Sequence, residues 1–182
     1  MSARMAIFIL FIIAILAAIL GYGSLWYLDF IHGNIFYRDG AATTTAPMQG
    51  TYQVADVVDG DTIDVLIGGV KTRVRYIGMD TPETVDPDKP VECYGKEASE
   101  RNKELVSGKA VTLVSDAEDK DKYGRLLRYV YADGTFVNLE LVKEGFATAE
   151  PIPPDTAHAK EFADAAALAR TDGIGLWSAC VK

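Results

Sequence analysis

Two cysteines and two histidines are all that 182 residues supply of those types. That scarcity excludes a histidine-rich zinc centre and a multiply bridged scaffold. Positive charge is also short: 18 Lys and Arg stand against 26 Asp and Glu, for a formal net charge of −8. Such a chain does not grip nucleic acid through bulk positive charge, so any polyanion it handles must be held locally. The sequence has no Gly-x-x-x-x-Gly-Lys phosphate loop and no Gly-x-Ser-x-Gly elbow, and Gly173-Ile174-Gly175 follows a helical stretch rather than a strand. His32 lies ahead of the folded region, leaving His158 as that region's one histidine. This argues against a serine or cysteine hydrolase with a histidine base, and His158 is expected on a helix surface. With 49% apolar and 24% charged residues, the chain suits one packed domain with an appendage.

The appendage comes first. From Met5 to Leu28 no side chain is charged, and Arg4 stands just ahead. A helix over that run would reach about 36 Å, enough to span a bilayer core. Residues 1–28 are therefore read as a transmembrane anchor, with Tyr22, Trp26 and Tyr27 suited to an interfacial belt. The rival is a cleaved secretory signal, for which Gly21-Tyr22-Gly23 offers small residues. Either reading exports the remainder: a single-pass cell-membrane protein with its domain on the extracytoplasmic side, or a secreted one. Cys93 and Cys180 then become a disulfide candidate, closing a loop of about 88 residues worth roughly 4 to 5 kcal/mol in the chain-entropy model. Residues 29–49, ending in small and polar residues without period, read as a tether, and the domain is expected over 50–182. The tether and anchor carry two residues of each charge, so the whole of the −8 belongs to the domain.

Within the domain, Thr51–Val58, Thr62–Ile67, Val70–Ile77, Ala110–Val114 and Leu126–Tyr131 read as five strands, with Gly68-Gly69 as a two-residue hairpin turn. Helices are expected over Glu92–Ser107, over Asn138–Glu144, and after Pro153-Pro154, the last with Asp155 or Thr156 as its N-cap. Helices inserted after strands three and five do not make a repeating βαβ unit. They fit an α+β, mainly β fold: a small five-stranded antiparallel barrel of the OB type with about three helices.

The remaining chemistry lies in carboxylates and arginines at strand ends. Asp119-x-Asp121 with Gly124 imitates the start of an EF-hand, but Tyr123 and Val130 fall where oxygen ligands are required. Asp59-Gly60-Asp61-Thr62 separates strands one and two, and Asp80-Thr81-Pro82-Glu83 follows strand three. In a meander the end of strand three returns beside the start of strand two, so Asp61 and Asp80 could share one hard cation such as calcium. Ordinary turn chemistry is the alternative for either motif alone. Arg75 and Arg125 add guanidinium forks suited to phosphate. Arg73 shares the strand face of Arg75 by the period of two.

The strings VVDGDTIDV, VRYIGMDTPE, YGKEAS, DKYGRLLRYVYADG and VNLELVKEGFA, in this order, resemble those of the staphylococcal nuclease (thermonuclease) family across roughly residues 51 to 177. The resemblance implies an OB-fold barrel and calcium-dependent hydrolysis of DNA and RNA phosphodiesters. It implies Asp61, Asp80 and the main-chain carbonyl of Thr81 as calcium ligands, Glu83 as general base, and Arg75 and Arg125 as phosphate-holding catalytic residues. Lys122 and Tyr123 match residues that contact the nucleotide. Nucleic acid is the expected partner, the membrane a second one through the anchor, and a monomer the expected state. The family prototype carries a tyrosine-bearing segment after the second helix; here Glu150-Pro151-Ile152-Pro153-Pro154-Asp155 holds no aromatic residue. A non-catalytic OB module that binds nucleic acid or a protein is the rival from another class.

Overall fold

The computed structural model describes residues 49–86, 88 and 90–180. The expected membrane segment and all of the expected tether but Gln49 lie outside the described residues. Among the described residues no helix is long and apolar enough to cross a membrane.

Alternation of apolar with polar residues organises the first three strands, β1 (Gln49–Val57), β2 (Thr62–Ile67) and β3 (Val70–Tyr76). Ile63, Val65 and Val74 are wholly buried in the core. Between β2 and β3 the turn residues Gly68 and Gly69 have φ of 58° and 82°. Two successive positive φ values define the tight hairpin whose twist matches the strands, and glycine adopts them without a Cβ penalty. The barrel continues with β5 (Ala110–Val114) and β6 (Leu126–Ala132), in the order β3-β2-β1-β5-β6. It closes through β3 and β6, where Val74, Arg75 and Tyr76 face Leu126, Leu127 and Arg128. This closing pair is parallel, which corrects the all-antiparallel expectation. Closure removes the open sheet edge and buries the centre on every side.

Three short strands, β4 (Gly78–Asp80), β7 (Thr135–Phe136) and β8 (Thr148–Glu150), add to the five expected. At two or three residues each, they are too short to show a period in the sequence. The helices described are α1 (Gly95–Val106), α2 (Val137–Lys143), α3 (Ala159–Thr171) and α4 (Leu176–Ala179), so a fourth joins the three expected. Its single turn carries no amphipathic signal. Cys180 follows α4 directly and forms a disulfide with Cys93, with the Cα atoms 5.9 Å apart.

Two buried asparagines tie helices to strands. Asn138 of α2 donates to the carbonyls of Ile77 and Arg128 and accepts from the Val130 amide. Asn102 of α1 accepts from the Tyr76 hydroxyl at 2.9 Å and donates to the Asp59 carbonyl at 2.8 Å. Both are 0% exposed, and every such bond stabilises because its loss would orphan a buried polar group.

The start of α3 differs from expectation. His158, not Asp155 or Thr156, is its N-cap residue. Asp155 instead accepts the Glu118 amide at 2.8 Å, satisfying a donor in the loop before β6. His158 stands at the start of the helix with its side chain 34% exposed and Nδ1 3.1 Å from Glu161, while its ring meets Tyr129 and Phe136 edge-on at 4.7 and 5.1 Å.

Candidate active site

The loop between β1 and β2 carries Asp59, Gly60 and Asp61. Asn102 holds its Asp59 carbonyl, and the Asp61 carbonyl accepts the Tyr76 amide at 2.9 Å. The side chain of Asp61 is therefore fixed at the mouth of the barrel, where it is only 3% exposed. Its Oδ2 accepts both the amide and the hydroxyl of Thr81 at 3.0 Å, and its Oδ1 accepts the Thr62 hydroxyl at 3.0 Å. Gly60 makes this approach possible, because a Cβ there would lie 2.7 Å from the Thr81 side chain. The end of the third strand thus returns beside the start of the second.

Register does the rest. Arg75 pairs with Thr62 across β2 and β3, and Asp80 pairs with Thr148 across β4 and β8. The Arg75 guanidinium bridges the two carboxylates: Nη1 meets Asp61 Oδ1, and Nη2 meets Asp80 Oδ1 at 2.6 Å. Arg125 stands at the foot of β6. Its Nε meets Asp121 Oδ2 at 2.5 Å and its amide donates to Asp121 Oδ1 at 2.9 Å. Asp61, Arg75, Asp80, Thr81, Glu83 and Arg125 line one cleft of about 200 Å³, together with Asp59, Thr62 and Pro82. The five side chains singled out from the sequence for metal, base and phosphate roles therefore meet at one place.

Glu83 is held by its own loop. Its Oε1 accepts the amides of Val85 at 2.7 Å, Thr84 at 2.8 Å and Asp86 at 3.2 Å. These amides, Val85 foremost, hold its carboxyl below the usual glutamate range against a smaller opposing effect of burial. Glu92 clamps the Glu83 backbone from both sides, accepting its amide at 3.0 Å and donating to its carbonyl at 2.9 Å. Burial pushes the Asp59 carboxyl up, with Arg75 opposing.

Lys122 and Tyr123 sit on the loop beyond Arg125. Tyr123 is 72% exposed, with Lys122 Nζ 4.9 Å and Arg125 Cζ 5.5 Å from its ring centroid. The apparent EF-hand start has other work, since Asp121 orders Arg125 and Asp119 binds the buried Arg128 at 2.5 Å. Asn102, Asp121 and Asp59 escaped the sequence reading as site-building residues. Asparagine inside a helix is unfavourable without a purpose, and that was the available signal for Asn102.

The donors that could hold a cation, two carboxylates and the Thr81 carbonyl, are all oxygen, which suits a hard ion such as calcium. Among the described residues no group of three or more His, Cys, Asp and Glu gathers as a ready cage. A ligand set drawn from these residues would thus be completed by water or substrate oxygen.

One flank of the site gives a pH test. Asp64, its side chain 5% exposed, pairs with Arg73 at 2.9 Å and Lys71 at 3.0 Å; Asp56 also faces Lys71, at 3.4 Å. The hydrogen bond from Arg73 leads in holding the Asp64 carboxyl below its ordinary 3.8. A depressed folded-state pKa adds stability above the unfolded value that is lost as pH falls through the folded one. In urea melts the advantage of wild type over Asp64→Asn should be present at pH 7 and vanish as pH drops below the ordinary carboxylate range.

Comparison with known proteins places the sequence among nuclease homologues. The family model described as staphylococcal nuclease homologue matches residues 73–179. Endonuclease YncB of Bacillus subtilis (strain 168) is 46% identical over 123 residues, covering 66% of this chain and 58% of that protein. The thermonuclease of Staphylococcus intermedius is 42% identical over 127 residues, covering 70% of this chain and 76% of its own. The thermonuclease of Staphylococcus hyicus is 41% identical over 128 residues, with 70% and 76% covered.

Proposed function

The chain belongs to the staphylococcal nuclease homologue family, and from that premise we propose that it is a calcium-dependent nuclease hydrolysing phosphodiester bonds of DNA, RNA or both. The observation that carries the proposal is the convergence of Asp61, Asp80, Glu83, Arg75 and Arg125 on one cleft at the barrel mouth. A module that only binds nucleic acid has no use for carboxylates there, since they repel the backbone it must hold.

Asp61, Asp80 and the Thr81 carbonyl would hold the ion. Calcium bound there supplies a Lewis acid that draws charge off a phosphoryl oxygen. The protein's own residues do the remainder. Arg75 and Arg125 present N–H donors to the phosphate and stabilise the charge that grows on its oxygens. Glu83 takes a proton from the attacking water as the new P–O bond forms and the bond to the leaving oxygen breaks. Because the loop amides all engage Oε1, Oε2 is the oxygen left to accept that proton. Those amides stabilise the carboxylate form of Glu83, and a general base of this kind contributes about 10² to 10⁴ in rate.

The deciding measurement is cleavage of single-stranded DNA, duplex DNA, RNA and a small aryl phosphodiester by the purified full chain, with calcium or with chelator. Calcium-dependent cleavage is expected, and binding without cleavage under every condition sinks the enzyme in favour of a binding module. Glu83→Gln should keep calcium affinity while turnover falls by about 10²-fold. Wild-type turnover in that variant removes Glu83 from the mechanism.

On this reading the domain works outside the cytoplasm, tethered by residues 1–28 or released from them, and acts as a monomer. Mass measurement of the native amino terminus separates anchor from cleaved signal.

A further inference from the structure

A second cleft adjoins the first. Asp64, Lys71, Arg73, Tyr123, Gly124 and Arg125 line a depression of about 480 Å³, and Arg125 lines both clefts. Lys71, Arg73 and Arg75 alternate along β3 and so share one face. Row and cleft together lead from the candidate phosphate position out along the β2–β3 hairpin.

The charge of this cleft is opposite to that of the molecule. Three cations line it against one carboxylate, in a chain whose net charge is −8. The carboxylate, Asp64, lies beneath its two partners: its side chain is 5% exposed, while those of Lys71 and Arg73 are 53% and 51% exposed. Asp64 Oδ1 takes Arg73 Nε, and Oδ2 is shared between Arg73 Nη2 at 3.3 Å and Lys71 Nζ at 3.0 Å. A single buried negative charge thus positions two outward cations and leaves them donors to spare. The acidic neighbours lie at the margin, Asp56 at 3.4 Å from Lys71 Nζ and Asp121 on Arg125. Beside this pair the exposed Tyr123 ring offers a face on which a base can stack.

We propose that Lys71 and Arg73 form a second phosphate subsite, which binds the backbone of the nucleic-acid strand beyond the scissile bond. This rests on the nuclease reading and adds a length requirement to it: a strand that reaches both clefts is held, and a single small ester is not. Arg125 joins the two subsites, so the strand runs from the barrel mouth across the Tyr123 ring and onto the hairpin. The local positive path resolves how a chain of this net charge can hold a polyanion at all.

The test compares wild type with the Lys71→Gln/Arg73→Gln double variant, both as full chains with calcium. Substrates are single-stranded oligonucleotides of increasing length and the small aryl phosphodiester. For long strands KM should rise about tenfold with kcat unchanged, and the slope of log(kcat/KM) against log salt should shrink by about 0.7 for each phosphate that the variant no longer neutralises. The diester, too small to reach the hairpin, should show the same KM in both proteins. Lys71→Gln alone, at the exposed end of the row, should give part of the effect if the double variant folds poorly. Arg73→Lys should keep the salt slope. An unchanged KM for long strands, or an equal rise for the diester, overturns the subsite. Wild type inactive on every substrate overturns the nuclease reading instead; anisotropy of a labelled non-cleavable oligonucleotide with and without the two substitutions then decides the subsite on its own.

Discussion

Arg75→Lys should lower nuclease turnover by about 10² to 10³ while the protein stays folded. The Arg75 side chain is 12% exposed, and its guanidinium uses two separate nitrogens to reach two carboxylates, Asp61 and Asp80, with a longer contact of 3.5 Å to the Met79 carbonyl. A fork can keep one arm on a carboxylate and turn another to phosphate. An ammonium is a single point, and it cannot span the same acceptors. The fold should survive because Asp61 keeps its bonds from Thr81 and Thr62, and because Val74 and Tyr76 on either side remain in the core. Single-turnover cleavage at saturating calcium, with far-ultraviolet circular dichroism beside it, is the check. Turnover near wild type in a folded Arg75→Lys protein would remove the arginine from transition-state stabilisation.

Cutting the disulfide should give the largest loss of stability. Cys93 and Cys180 are 87 residues apart, so the bridge constrains most of the unfolded domain. The chain-entropy model values such a closure at about 4 to 5 kcal/mol, a large fraction of the 5 to 15 kcal/mol typical of a domain. The paired variant Cys93→Ala/Cys180→Ala should lose about that much in urea unfolding, and reductant should have no further effect on it. A second consequence concerns activity. Cys93 follows Glu92, which clamps the Glu83 backbone, and the far cysteine is held by α4. Without the bridge the clamp loses its outer anchor, so turnover measured well below the melting temperature should fall, though by less than for Arg75→Lys. Equal stability with and without the bridge would show that the unfolded chain is not its main target.

Much of the fold was legible because β2, β3, β5 and β6 are long enough to show alternation, and because Gly68-Gly69 is a turn by residue type alone. The strands of two or three residues, the one-turn helix and the parallel closure were not. Periodicity needs several residues, and the partner of an end strand depends on how the whole sheet curls. The cap of α3 misled for a related reason. Asp155 has the right chemistry for an N-cap, but its buried carboxylate is claimed by the loop amide of Glu118.

The candidate site divides in the same way. Asp61, Asp80, Glu83, Arg75 and Arg125 were identifiable from residue type, local motif and family resemblance, since such acids and guanidinium forks at strand ends are what phosphate chemistry draws upon. Their meeting in one cleft came from barrel closure, which brings the foot of β6 beside β3 across 50 residues of chain. So did the parts of Asn102, Asp121 and Glu92, because a hydrogen bond between distant elements has no trace in local spacing. The amino-acid order by itself determined which chemical groups this protein owns and which segments alternate. Only the tertiary structure decided which of those groups face one another, because side-chain chemistry is a property of the residue and proximity is a property of the packed chain.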